Sequence, residues 1–147
     1  MTSKWRVYKF GGTSLKDAAM FQRVAEILKT ESSRPLAVVV SAMAGITDAL
    51  MEMGELAQEG DERYIACIAA AKLRHKEAAD ILLNEKELSS FDIFLTRQMR
   101  DVEDLLRAVA LARHFSEASA DLISGYGELL SARLLTGYLK SSGCSAA

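Results

Sequence analysis

Three short stretches of the 147-residue chain carry residue types that could do chemistry. The first is KFGGTS, residues 9–14, where Lys9 stands near the end of an apolar run and two glycines follow Phe10. A lysine on an apolar strand end is costly to bury unless it meets an anion. It therefore either snorkels to water from an edge or holds a negative group. Gly11 and Gly12 let backbone come close to a ligand and can aim N–H groups at an anion. A helix starting near Ser14 would add its positive end. Together these features could serve a phosphate. The stretch is not a P-loop, because GxxxxGK(S/T) is absent and the lysine precedes the glycines.

The second stretch is SAMAGIT, residues 41–47. Thr47 stands where a helix begins, and capping alone would explain it. Ser41 and Thr47 would equally hydrogen-bond a small polar ligand. The third is LISGYGELLSARLLTGYL, residues 122–139. Leu122, Ile123, Tyr126, Leu129, Leu130, Leu134 and Leu135 predict a broad apolar surface. Ser124, Gly127, Glu128 and Ser131 recur three or four apart, as one narrow face of small and polar groups. A glycine inside a helix costs about 1 kcal/mol relative to alanine. Close approach of backbone or ligand is the usual compensation. Glu128 is then either a surface carboxylate beside packing glycines or the partner of an ammonium group. The spacing is no dinucleotide fingerprint, since it lacks the third glycine and does not follow a strand.

The elements that position these residues follow from periodicity. Residues 5–10, rich in β-branched and aromatic types, predict a strand. Ser14 with Asp17 three residues on matches a capping box. Met20, Phe21, Val24, Ile27 and Leu28 have helical spacing, and Ser32, Ser33, Arg34 and Pro35 end that helix. Residues 36–41, LAVVVS, form the continuous apolar run of a strand buried on both faces. Strand, turn, helix, strand is a βαβ unit with parallel strands. Ligands in such sheets collect at the carboxyl ends of strands, so the first two stretches should share one site. Beyond residue 47 the pattern predicts four helices: about 47–58, 61–83, one reaching about 114 with a break near Ser89 and Ser90, and 118–139.

Composition excludes several classes. The chain is 50% hydrophobic and 26% charged with a net charge of −2, so no nucleic-acid or polybasic membrane surface is expected. No apolar run is long enough to span a bilayer, and the N-terminus carries no signal-peptide core. Cys67 and Cys144 have no metal spacing. Cys67 reads as a core residue, and a reduced, cytoplasmic setting fits. His75 and His114 sit among charges and read as solvated. A single proline, Pro35, agrees with long helices. Two parallel strands are too few for an independent sheet, so residues 1–147 read as the N-terminal part of a larger fold or as a chain completed by another.

KFGGTS at 9–14, VVVSAMAGITDAL at 38–50 and SGYGELLSARLL at 124–135 resemble, in order, the signatures of the aspartokinases within the amino-acid kinase family. The helical stretch between them resembles the helical region carried there. The wording of the last two is similar to the kinase portion of aspartokinase–homoserine dehydrogenase fusions. The resemblance implies a three-layer αβα fold, of which residues 1–147 are the amino-acid-substrate part. The nucleotide-binding lobe and the ACT regulatory domains would lie outside it. It implies transfer of a phosphoryl group from ATP to the side-chain carboxylate of L-aspartate, the first step toward lysine, threonine, methionine and isoleucine. Magnesium is implied as well, with no ligand among these residues. By matching position, Lys9 is the catalytic cation, and Lys9, Phe10, Gly11 and Gly12 contact the phosphates. Ser14, Ser41, Thr47 and Glu128 hold aspartate, with Glu128 facing its ammonium. A homo-oligomer is implied for the longer protein. If 147 residues were the whole product, no kinase activity would be expected.

Overall fold

A computed structural model describes residues 5–31 and 35–147 of the chain. Strand β1, Arg6–Phe10, and strand β2, Leu36–Val40, pair in parallel, with Arg6 opposite Leu36 and Phe10 opposite Val40. The ladder runs one step past the strands, where the Ser41 amide donates to the Phe10 carbonyl at 3.0 Å. Parallel strands need a crossover, supplied by helix α1, Ala18–Thr30. Of the residues expected to end that helix, Ser32, Ser33 and Arg34 lie outside the described residues, while Pro35 directly precedes β2. The expected capping box is displaced by one turn. Asp17 is itself the N-cap, its carboxylate accepting from the Met20 amide at 3.0 Å. A carboxylate is a strong acceptor at the positive end of a helix. Gly12–Leu15 instead wind a short 3₁₀ turn, and the Ser14 amide donates to the Gly11 carbonyl at 3.0 Å.

Four helices follow: α2 Ile46–Glu59, α3 Arg63–Leu82, α4 Glu85–Ala112 and α5 Glu117–Ser141. Helix α2 stops at Gly60, whose left-handed backbone (φ 75) turns its amide onto the Ala57 carbonyl. The break expected near Ser89 and Ser90 does not occur. Ser89 Oγ donates to the Glu85 carbonyl at 2.9 Å, and Ser90 Oγ accepts from Arg133 at 2.8 Å. Both serines find partners without leaving the helix. Phe21, Leu50, Met53, Ile68, Leu82, Leu95, Leu106, Ile123, Leu130 and Leu134 belong to a shared core in which every α-helix takes part.

Two burial expectations are corrected. His75 is not solvated but fully buried, because α3 turns the stripe Tyr64, Ile68, Ala71, His75, Ala78 and Leu82 inward. Strand β2 is not enclosed on both faces. Tyr8, Phe10, Val38 and Val40 pack toward the helices, but Val7 and Val39 on the other face remain 63% and 51% exposed. Among the described residues no layer covers that side. Cys67 is half-buried at the rim of the core.

Candidate functional site

The two loops at the carboxyl ends of β1 and β2 lie against each other, and glycine makes the approach possible. A Cβ on Gly12 would stand 3.1 Å from the Ala42 carbonyl oxygen and 3.6 Å from the Ala44 Cα. Backbone cannot yield as a side chain can, so this contact selects glycine. Gly11 differs. Its φ is −81 and a Cβ there would meet nothing within 4 Å. Neither strain nor packing in the described residues demands a glycine at that position.

Helix α5 joins the same cluster. A Cβ on Gly127 would lie 2.7 Å from the Ala42 Cβ and 3.1 Å from Ile46 Cγ2. The close approach expected for the helix glycines thus holds at Gly127, and at Gly137 against Leu83, but not at Gly125, which has open space. The predicted division of α5 into apolar and small-polar faces is corrected. Gly127 and Ser131 lie on the buried side with Ile123 and Leu134, whereas Leu122 and Leu129 are more than half exposed. The small residues are what let α5 reach its neighbours. Glu128, next to Gly127, is exposed, and Ser124 donates to the Asp121 carbonyl of its own helix at 2.9 Å. Burial, and secondarily the Asp101 carboxylate, push the Tyr126 hydroxyl up from its ordinary pKa.

The simpler explanations for two hydroxyls fall away. Ser14 does not cap α1, since Asp17 does. Thr47 does not cap α2, whose N-cap is Gly45, and Thr47 is exposed in the first turn. Among the described residues, no hydrogen bond or ion pair engages the Lys9 ammonium, the Ser14, Ser41 or Thr47 hydroxyl, or the Glu128 carboxylate. Lys9 projects from the open sheet face beside Val7 and Val39, while Phe10 points toward the helices. The Phe10 carbonyl is hydrogen-bonded to Ser41 at the start of the second loop, and Gly12, that loop and Gly127 are in contact, while Lys9 and Glu128, the sequence neighbours of Phe10 and Gly127, are exposed.

One residue of this region escaped sequence reasoning. Arg74 on α3 donates to the Ala44 carbonyl at 2.6 Å and to the Lys16 carbonyl at 2.9 Å. Its signal was its place beside His75, at the edge of the buried stripe. Metal ligation finds no support in the donor set: among the described residues no group of three or more His, Cys, Asp or Glu could hold an ion. Nor is any helix among them long and apolar enough to cross a membrane. An open groove between α3 and α4, lined by Lys72, Met99, Arg100 and Asp104, is separate from the loop cluster.

A parallel βαβ start whose two loops meet beside a glycine-bearing helix makes this an α/β chain with a candidate ligand site at the carboxyl ends of its strands. The amino acid kinase family model matches residues 4–147, and the chain belongs to that family. It is 38% identical over 132 residues to the aspartokinase of Chlamydia trachomatis, covering 90% of this chain and 27% of that protein. It is 37% identical over 142 residues to the chloroplastic bifunctional aspartokinase/homoserine dehydrogenase of Daucus carota, covering 95% of this chain and 15% of that one. Escherichia coli aspartokinase III, solved with lysine and aspartate, superposes with a TM-score of 0.83 at 28% identity over 98% of this chain and 30% of that one. The same enzyme solved with aspartate and ADP superposes with a TM-score of 0.77. The chain thus spans less than a third of the length of each of these relatives.

Proposed function

We propose that the chain is the amino-acid-substrate part of an aspartate kinase, with L-aspartate held between the two loops and helix α5. The observation that carries this reading is the convergence of Gly12, Ala42 and Gly127, which brings the three candidate stretches into one cluster. In that arrangement Glu128 meets the substrate ammonium, and the hydroxyls of Ser14, Ser41 and Thr47 serve its carboxylates. The reaction assigned to the longer protein transfers the terminal phosphoryl group of ATP to the side-chain carboxylate, giving 4-phospho-L-aspartate and ADP. A carboxylate is already ionised at neutral pH, so no general base is required. What is required is placement of two anions and neutralisation of the transferring group. Lys9 and the N–H groups near Phe10, Gly11 and Gly12 supply positive charge and donors for that purpose. The unexplained openness at Gly11 supports a ligand approaching the backbone there. The complexes of the Escherichia coli enzyme with aspartate and with ADP support the same substrate pair.

Residues 1–147 form one domain part in this reading, with the nucleotide lobe supplied elsewhere in a longer polypeptide. Magnesium belongs with the nucleotide, since this ion is commonly held by substrate phosphates and one or two carboxylates. Assembly into a homo-oligomer belongs to the longer protein, and two cysteines without a disulfide fit a reduced cytoplasmic setting. Calorimetric titration of the chain with L-aspartate tests the proposal. Saturable binding that is lost in Glu128→Ala is the expected result. Binding equally strong in wild type and Glu128→Ala would remove Glu128 from the site, and no binding by a folded wild type would overturn a preformed aspartate site. The chain alone is expected to release no ADP from ATP in a coupled assay, because one side of a two-substrate site cannot align the donor.

A further inference from the structure

Arg74 lies outside the three candidate stretches, yet it is the side chain that touches both loops. Its Nη1 donates to the Ala44 carbonyl at 2.6 Å and its Nη2 to the Lys16 carbonyl at 2.9 Å. Lys16 follows the 3₁₀ turn that carries Gly12 and Ser14, and Ala44 precedes Gly45, where the chain reverses through the left-handed region at φ 81. Each carbonyl is therefore held at the point where its loop turns into the next helix. The two ends of one planar guanidinium fix the relation between the loops. Helix α3, from which it reaches, is anchored by the fully buried His75 next along the chain.

We propose that Arg74 is a positioning residue that locks the glycine loop and the second loop into the spacing needed for the amino-acid substrate. The ligand part rests on the aspartate-site reading; the locking of the loops does not. Contacts of this kind act through geometry, and a displacement of about 1 Å in a site can cost on the order of a hundredfold in rate. The second loop also meets Gly127, so release of Ala44 would disturb the Glu128 side as well.

The test compares wild type with Arg74→Lys and Arg74→Met by amide hydrogen exchange of the whole chain, alongside titration with L-aspartate. Lysine keeps the charge but lacks the fork, so it separates geometry from electrostatics. In both variants the amides of residues 11–16 and 42–46 are expected to exchange about tenfold faster or more, while those of α4 keep their protection. Loosening of only one loop, or of neither, overturns the proposal. If Arg74→Met fails to fold, Arg74→Lys decides by the same criterion. Where wild type binds aspartate, Arg74→Lys is expected to bind about tenfold more weakly, and unchanged affinity overturns the ligand part. Where wild type binds none, the aspartate-site reading fails, and hydrogen exchange still decides whether Arg74 locks the loops.

Discussion

Two adjacent glycines of the first loop differ in their surroundings, and they predict different responses to alanine. Alanine at 12 would press on the Ala42 carbonyl oxygen at 3.1 Å. Neither backbone can give without moving a loop, so Gly12→Ala is expected to destabilise the fold by about 1–3 kcal/mol. Alanine at 11 meets open space at an ordinary φ of −81. Gly11→Ala should therefore stay within about 0.5 kcal/mol of wild type. Urea denaturation of the two variants checks both. Equal destabilisation would mean that the Gly12 contact does not set the loop spacing. The KFGGTS stretch was legible at this scale because glycine and lysine are unusual on an apolar strand end. The distinction between the glycines was not legible, since it depends on a carbonyl thirty residues away.

At the scale of elements, the sequence read well where residue types contrast sharply. The β-branched runs and the glycine stops lie where expected, whereas the break expected near Ser89 and Ser90 of α4 is absent. Helix α3, Arg63–Leu82, lies where 61–83 was expected, but its inner face was not legible because its contrast is weak. Three alanines and His75 share its buried stripe with Tyr64, Ile68 and Leu82, while Ile65, Leu73 and Ile81 are at least half exposed. Hydrophobicity there does not mark the inner face, so the tie from Arg74 to the loops stayed hidden too. The buried histidine has a consequence. Its Nδ1 lies 2.8 Å from the Ala71 carbonyl, which can only accept, so Nδ1 carries the proton. Nε2 then has no partner among the described residues. Burial lowers the His75 pKa below 6.5, only partly offset by that hydrogen bond, and the Arg74 charge lowers it further. The unfolded chain binds the extra proton first as pH falls. The contribution of His75 is therefore complete above about pH 6.5 and lost as pH drops toward the folded-state value, with a slope of at most about 1.4 kcal/mol per pH unit. His75→Leu should flatten stability between pH 5 and 6.5, measured by denaturation midpoints across pH. A variant that kept the wild-type slope would place the acid sensitivity elsewhere. Gly127→Ala belongs to this scale as well. Its Cβ would collide with Ala42 at 2.7 Å, so α5 must shift from the second loop, weakening aspartate binding more than the helical content seen by circular dichroism.

The whole molecule is a helical body carrying a parallel pair of strands on one flank. One face of that pair is packed and the other is open, with Trp5 65% exposed, Val7 63% and Val39 51%. The register places Val7 opposite Ala37 and Lys9 opposite Val39, so the exposed apolar groups lie on one surface. Parallel sheets are normally covered on both faces, and contiguous apolar surface associates in water. Among the described residues no further strand pairs with either outer edge of the pair, and such edges offer free backbone groups. By itself the 147-residue chain should therefore associate with increasing concentration, driven by this flank. Val7→Thr combined with Val39→Thr keeps the β-branched shape that suits a strand while replacing a methyl by a hydroxyl on each. Sedimentation velocity over a range of concentrations should show the double variant shifted toward monomer, with circular dichroism unchanged. Association as strong as in wild type would assign the contact to another surface, such as the exposed Ile93 and Leu111 of α4. A monomeric wild type would mean that charge near the strands, with Lys9 on that same face, already suffices to keep copies apart.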